Sequence, residues 1–72
     1  MEMNHRERIG QRIRDIRVRL SMTQQELAEA TGMQQCHIAR IEAGRYSVGL
    51  DTLQRIADAF GMDIDFINKS DR

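Results

Sequence analysis

Apolar residues recur at helical spacing in four separate stretches of this chain. In the first, Ile9, Ile13, Ile16 and Leu20 stand at i, i+4, i+7 and i+11, a single stripe along one helix face. Val18 points to the opposite side and is expected to be exposed. The second stretch has the clearest start signal. Thr23-Gln24-Gln25-Glu26 is a capping box, in which the Thr23 hydroxyl accepts from the Glu26 amide and the Glu26 side chain reaches back. Met22 and Leu27 flank it as a hydrophobic staple. This helix should run from Gln24 to about Thr31, with Gly32 taking the left-handed conformation that ends it. A third helix starts near Gln34 and ends at Gly44, with Ile38 and Ile41 on its apolar side. A fourth runs from about Leu50 to Phe60, with Leu53, Ile56, Ala57 and Phe60 at i, i+3, i+4 and i+7 and Gly61 as its stop. Asp63 is placed to cap a last short helix carrying Ile64, Phe66 and Ile67. No stretch alternates as a strand does, and the chain holds no Pro. The expectation is an all-α fold of five short helices.

Length narrows this to one small domain. The 72 residues are expected to form a single unit with its core over about residues 6–68, with little room for a catalytic cleft and its supporting shell. The only cysteine, Cys36, has no partner for an intramolecular disulfide. Met1 to Gly10 is polar and charged, unlike a secretory signal, and no apolar run approaches the ~20 residues of a membrane span. A cytoplasmic, nucleoid-associated protein of a reducing compartment is expected.

The charge changes the picture only when it is placed along the chain. Eleven Lys and Arg balance eleven Asp and Glu, so the net charge is zero. Residues 1–49 nevertheless carry eight bases against six acids, and residues 50–72 three against five. The front is +2 and the back is −2. Ten of the eleven bases are Arg, the residue whose planar fork matches phosphates and guanine edges. There are no repeats, linkers or low-complexity tracts.

The joint between the second and third helices is the informative feature. Two helices crossing steeply through a short turn need a small side chain at the contact, which Ala28 supplies. Gly32 allows the positive φ of the turn. Ile38 and Ile41 anchor the second helix of the pair and fix its rotation, and Leu27 fills the space beneath. Over about residues 23–44 this is a helix-turn-helix constellation, whose second helix enters the DNA major groove.

Here the chain resembles the Cro/phage-repressor-type helix-turn-helix family, the XRE-like regulators. The resemblance covers roughly Ile9 to Ile67. It rests on the Thr-Gln capping box, the Ala28-Gly32-Ile38 spacing, the Ile41-Glu42-x-Gly44 end of the third helix and the Leu53-x-x-Ile56-Ala57 pattern of the fourth. It implies a compact, lambda-repressor-like DNA-binding domain. One departure is Ser21, where the family often has Gly at the end of the first helix.

The groove-facing residues follow from helix geometry alone. At about 100° per residue, Ile38 and Ile41 set the core direction of the third helix, and Cys36, Ala39, Arg40 and Ala43 lie within about 50° of the opposite direction. Gln35 flanks them at the N-terminal end. Gln35 and Arg40 are the expected base readers, because Gln pairs bidentately with adenine and Arg with guanine. Cys36 and Ala39 are small enough for close approach, and Ala39 is placed to touch a thymine methyl. Ordinary groove lining and a thiol sensor are both open readings of Cys36.

The resemblance adds positions around this face. In similar proteins the residue matching Gln24 holds a backbone phosphate and braces the first Gln of the recognition helix. Gln34 either caps the third helix or reaches phosphate. Arg45, Tyr46 and Ser47 sit in a loop that lies along the DNA backbone in the family, with Tyr46 equally suited to packing on the domain edge. Arg17 and Glu42 match a pair that often forms a partly buried, structural salt bridge.

Other chemistry finds little support. Zinc needs about four Cys or His ligands, against one Cys and two His here (His5 and His37). Cys36 and His37 diverge by about 100° and lack an orienting third residue for nucleophilic catalysis. No metal, cofactor or enzymatic activity is expected. One recognition helix reads only a few base pairs, so a homodimer on a pseudopalindromic double-stranded DNA site is expected. Phe60, Met62, Ile64, Phe66 and Ile67 either form the dimer surface or close the small core. The principal reading is a transcription regulator of repressor type. The alternatives are an antitoxin with a toxin partner, a phage or restriction-modification control protein, or a helical module that binds only proteins.

Overall fold

The computed structural model describes residues 3–71. Four α-helices follow one another: α1 His5–Arg19, α2 Gln24–Thr31, α3 Gln35–Glu42 and α4 Leu50–Ala59. Among the described residues no strand forms, and no helix is long and apolar enough to cross a membrane.

Each helix begins and ends for a local reason. The Thr23 capping box forms as expected, with the Thr23 hydroxyl accepting from the Glu26 amide at 3.0 Å and Glu26 Oε1 accepting from the Thr23 amide at 2.8 Å. Gly32 then closes α2 at φ +69°. A second capping box starts α1 a turn earlier than its apolar stripe suggests. Asn4 Oδ1 accepts from the Glu7 amide at 2.9 Å, and Glu7 Oε1 accepts from the Asn4 amide at 3.1 Å. Gln34 occupies the N-cap of α3, but its side chain makes no capping hydrogen bond.

The core collects one face of every helix. Ile13, Leu27, Ala28, Ile38, Ile41 and Ile56 are buried, with Ile9, Met22, Met33, Val48, Leu53 and Phe60 packed around them. Met22 and Leu27 thus both reach the core from either side of the α2 cap. Val18 is exposed, as its position on α1 predicts. Leu20 departs from the stripe and is exposed as well. It is the C-cap of α1, where the chain turns away before its side chain reaches the core. Ser21 makes that turn at φ +58°.

α1 lies across the C-terminal end of α3, and Gly10 makes the approach possible. A Cβ at residue 10 would stand 2.2 Å from the Ile41 carbonyl oxygen and 2.9 Å from that of Glu42. No side chain fits there. The crossing brings Arg17 of α1 beside Glu42 of α3.

The expected fifth α-helix does not form. α4 ends at Phe60 and Gly61 (φ +70°), and the chain then runs without helix through residue 68 to a single 3₁₀ turn, Lys69–Asp71. Asp63 caps nothing. Ile64, Phe66 and Ile67 are β-branched or aromatic, which disfavours a helix. A segment this short also cannot offset the cost of the first helical turn without burying a face. Ile64 is half-buried, whereas Ile67 and the fully solvent-accessible Phe66 are not part of the core.

Candidate nucleic-acid interface

The two helices of the 23–44 motif present α3 on the outside of the molecule. Ile38 and Ile41 face inward and are buried. Gln35, Cys36 and Arg40 are exposed and Ala39 is half-buried, so the four residues expected to meet bases share the solvent side of one short helix. Cys36 is a free thiol whose Sγ lies 3.5 Å from Gln34 Oε1. Gln34 itself is exposed at the start of the same helix.

Arg45, Tyr46 and Ser47 follow α3 in a loop that is exposed throughout. The loop is tied back to the helix by the Arg45 amide, which donates to the Arg40 carbonyl at 3.1 Å. Tyr46 packs edge-to-face on His37, with ring centroids 4.6 Å apart and planes at 90°, a favoured aromatic geometry. His37 is therefore the packing partner of this loop residue, a contact not evident from residue order. It is half-buried, and its Nε2 is buried without a hydrogen-bond partner. Its place on the helix was the available signal, since it borders the apolar face and points toward the loop.

Behind α3 lies a buried ion pair. Arg17 Nε donates to Glu42 Oε2 at 2.6 Å and Arg17 Nη2 to Glu42 Oε1 at 3.0 Å, a two-point contact. The remaining guanidinium nitrogen, Nη1, donates to the Met22 carbonyl at 2.7 Å. One side chain thus joins α1, the α1–α2 turn and α3. The hydrogen bond to Glu42 raises the Arg17 pKa above its ordinary value; burial opposes this and the attraction of the Glu42 charge adds to it. A raised value for a cation means that its contribution to stability is present at every pH below the ordinary value. The pair therefore keeps its cation throughout the physiological range.

The ion pair continues outward. Gln24 Nε2 donates to Glu42 Oε1 at 3.1 Å, and Gln35 Nε2 makes a longer contact of 3.5 Å to Gln24 Oε1. Gln24 is half-buried and Gln35 exposed. The row Arg17–Glu42–Gln24–Gln35 leads from the core to the exposed face of α3. Among the described residues, no group of three or more His, Cys, Asp or Glu is placed to hold a metal ion.

The chain matches the helix-turn-helix family model over residues 13–67. It is 39% identical over 59 residues to the immunity repressor protein of Bacillus phage phi105, matching 82% of this chain and 41% of that protein. It thus spans well under half the length of that relative. It is 45% identical over 51 residues to an uncharacterised helix-turn-helix transcriptional regulator of Methanothermobacter thermautotrophicus, covering 71% of this chain and 74% of the other. Among solved structures, the clp gene regulator ClgR from Corynebacterium glutamicum superposes with a TM-score of 0.84 at 30% identity, over 89% of this chain and 82% of that one. With the motif in place, α3 outward and these matches over most of its length, the chain belongs to the Cro/phage-repressor-type helix-turn-helix family of DNA-binding transcriptional regulators.

Proposed function

We propose that this protein binds a pseudopalindromic double-stranded DNA site as a homodimer, with α3 of each copy in the major groove, and represses the adjoining promoter. The exposed row Gln35, Cys36, Ala39 and Arg40 on one face of α3 carries this reading. Gln35 offers the paired donor and acceptor that match adenine, and Arg40 the two donors that match guanine O6 and N7. Cys36 and Ala39 let the helix approach closely. Gln24, Gln34 and the loop residues Arg45, Tyr46 and Ser47 hold phosphates on either side and set the register. Arg17 and Glu42 stay off the DNA and hold α1 to α3. Repression is favoured by the likeness to a phage immunity repressor, and it requires only that bound protein cover promoter DNA.

A second copy completes the site. The chain measures 34 × 25 × 23 Å and has one recognition helix, whereas half-sites read on one side of the duplex lie about 34 Å apart. Met62, Phe66 and Ile67 expose apolar surface beside a groove between α1 and α4 that is lined by Ile9, Ile13, Ile56 and Phe60. That surface is the proposed dimer contact.

Selection from a random DNA library tests the base readers. Wild type should recover an inverted repeat, and Arg40→Ala should lose one guanine from each half-site. Retention of that guanine overturns the role of Arg40. Sedimentation of wild type with a duplex carrying the repeat should give two chains per duplex; one chain per duplex overturns the homodimer. A stoichiometric second protein retained through purification from the native host would move the reading to an antitoxin.

A further inference from the structure

We propose that His37 is a positioning residue for DNA binding, whose ring seats Tyr46 and so fixes the 45–47 loop on the flank of α3, where Arg45 and Ser47 meet phosphate. The inference rests on the reading of that loop as a phosphate contact and adds the group that sets its place.

Few contacts hold the loop. It leaves α3 at Gly44, which takes φ +75° and presses against the start of α1; a Cβ at residue 44 would stand 2.8 Å from Glu7 Cα. The Arg45 amide donates to the Arg40 carbonyl. From Tyr46 to Val48 no hydrogen bond forms among the described residues, and backbone bonding resumes where the Leu53 amide donates to the Gly49 carbonyl at 2.9 Å. Val48 packs on the core. Toward α1, Tyr46 and Ser47 border a cavity of about 160 Å³, floored by Ile9, Val48 and Leu53, instead of close-packed atoms. Between the anchors at Arg45 and Val48, the support of the loop is the perpendicular contact of Tyr46 with His37.

His37 serves here through the shape of its ring. Its Nε2 is shielded from solvent and has no hydrogen-bond partner. A shielded polar atom without a partner costs free energy and ties nothing down. The aromatic surface is what the ring contributes, and it favours an edge-to-face neighbour in one arrangement. His37 also stands three residues before Arg40 on α3, and residues at that spacing are neighbours on a helix surface. The seat of the loop and the expected guanine reader thus ride on one turn of one helix. A loop seated on α3 keeps its register with Arg40 before DNA arrives. A loop held only at its ends would lose that freedom on binding, at a cost in affinity.

The test is affinity for the inverted repeat recovered from the random library, measured across a range of salt concentrations. His37→Ala should bind about two- to tenfold more weakly. Its salt slope should fall by about two phosphates per dimer, one for each loop, while the preference at every base pair stays. His37→Phe keeps an aromatic ring and drops the unpartnered nitrogen, so it should bind within about twofold of wild type. Arg45→Ala should cost less affinity in the His37→Ala background than alone, because an unseated loop no longer presents Arg45. Folding is checked by circular dichroism; if His37→Ala does not fold, His37→Gln, a good helix former without a ring, takes its place with the same expectations. Wild-type affinity and slope in the ring-less variant overturn the proposal. So does a His37→Phe protein as weak as the ring-less one, or an Arg45→Ala cost that is equal in both backgrounds. If Arg45→Ala lowers the slope and the ring-less variant does not, the loop reading stands and the seat alone fails. If Arg45→Ala leaves the slope unchanged, the loop does not grip phosphate, and both fail.

Discussion

Glu42 concentrates more consequence than any other side chain in the molecule. It accepts from Arg17 at two points and from Gln24 at a third, all in a site nearly closed to water. Removing it by Glu42→Ala leaves a buried guanidinium without its counter-charge, which costs about 3–5 kcal/mol. Urea unfolding should show the loss as a lower midpoint with an unchanged slope; an unchanged midpoint would mean that the pair is not buried in solution. Ser21 gives a prediction of opposite sign. It sits at φ +58°, where an L-residue is strained by roughly 1–2 kcal/mol and glycine is not. The extra flexibility of glycine in the unfolded chain cancels part of that difference, so Ser21→Gly should raise stability by about 0.5–1 kcal/mol in the same assay. This places the departure from the family pattern in the turn that ends α1.

At the scale of elements, the start of α2 and the stops of α2 and α4 could be read from neighbouring residues because capping and termination are local. Thr23 needs only Glu26, and Gly32 needs only its own freedom from a Cβ. The start of α1 carries the same kind of signal in Asn4 and Glu7, but it lies before the apolar stripe, so periodicity alone does not mark it. The missing fifth helix has the reverse cause. Residues 63–67 combine a capping aspartate with apolar neighbours, yet the segment has neither the propensity nor a buried face to support a helix. The crossing of α1 over α3 depends on Gly10, whose importance no periodicity reveals. Gly10→Ala would normally favour a helix by about 1 kcal/mol. Here its Cβ meets the Ile41 carbonyl at 2.2 Å, and backbone must move. The expected outcome is a net loss of about 2 kcal/mol or more by thermal or urea unfolding. A neutral or stabilised variant would show that α1 and α3 are farther apart than described.

At the scale of the whole molecule, zero net charge limits how much binding can come from the phosphate backbone alone. The basic excess lies in residues 1–49, with Arg40 and Arg45 on or beside α3, and the acidic excess lies after it. Binding should therefore lean on base contacts, with a modest counterion term. The slope of log Kobs against log salt is expected to correspond to no more than about 8 phosphates per dimer. A steeper slope, or similar affinity for unrelated duplexes at ~100 mM salt, would assign most of the binding to non-specific charge.

The sequence by itself determined the helical class, the Thr23 and Gly32 caps of α2, the helix-turn-helix joint and the outward residues of α3. All of these depend on contacts within a few positions or on the period of a helix, and both are written directly in residue order. Only the tertiary structure decided how near α1 comes to α3, that Tyr46 rests on His37, and that Phe66 stays outside the core. It also decided that one carboxylate oxygen serves both Arg17 and Gln24. Those facts join residues 9 to 32 positions apart or set an edge of the fold against solvent, and such distances are fixed by packing, which no local pattern specifies.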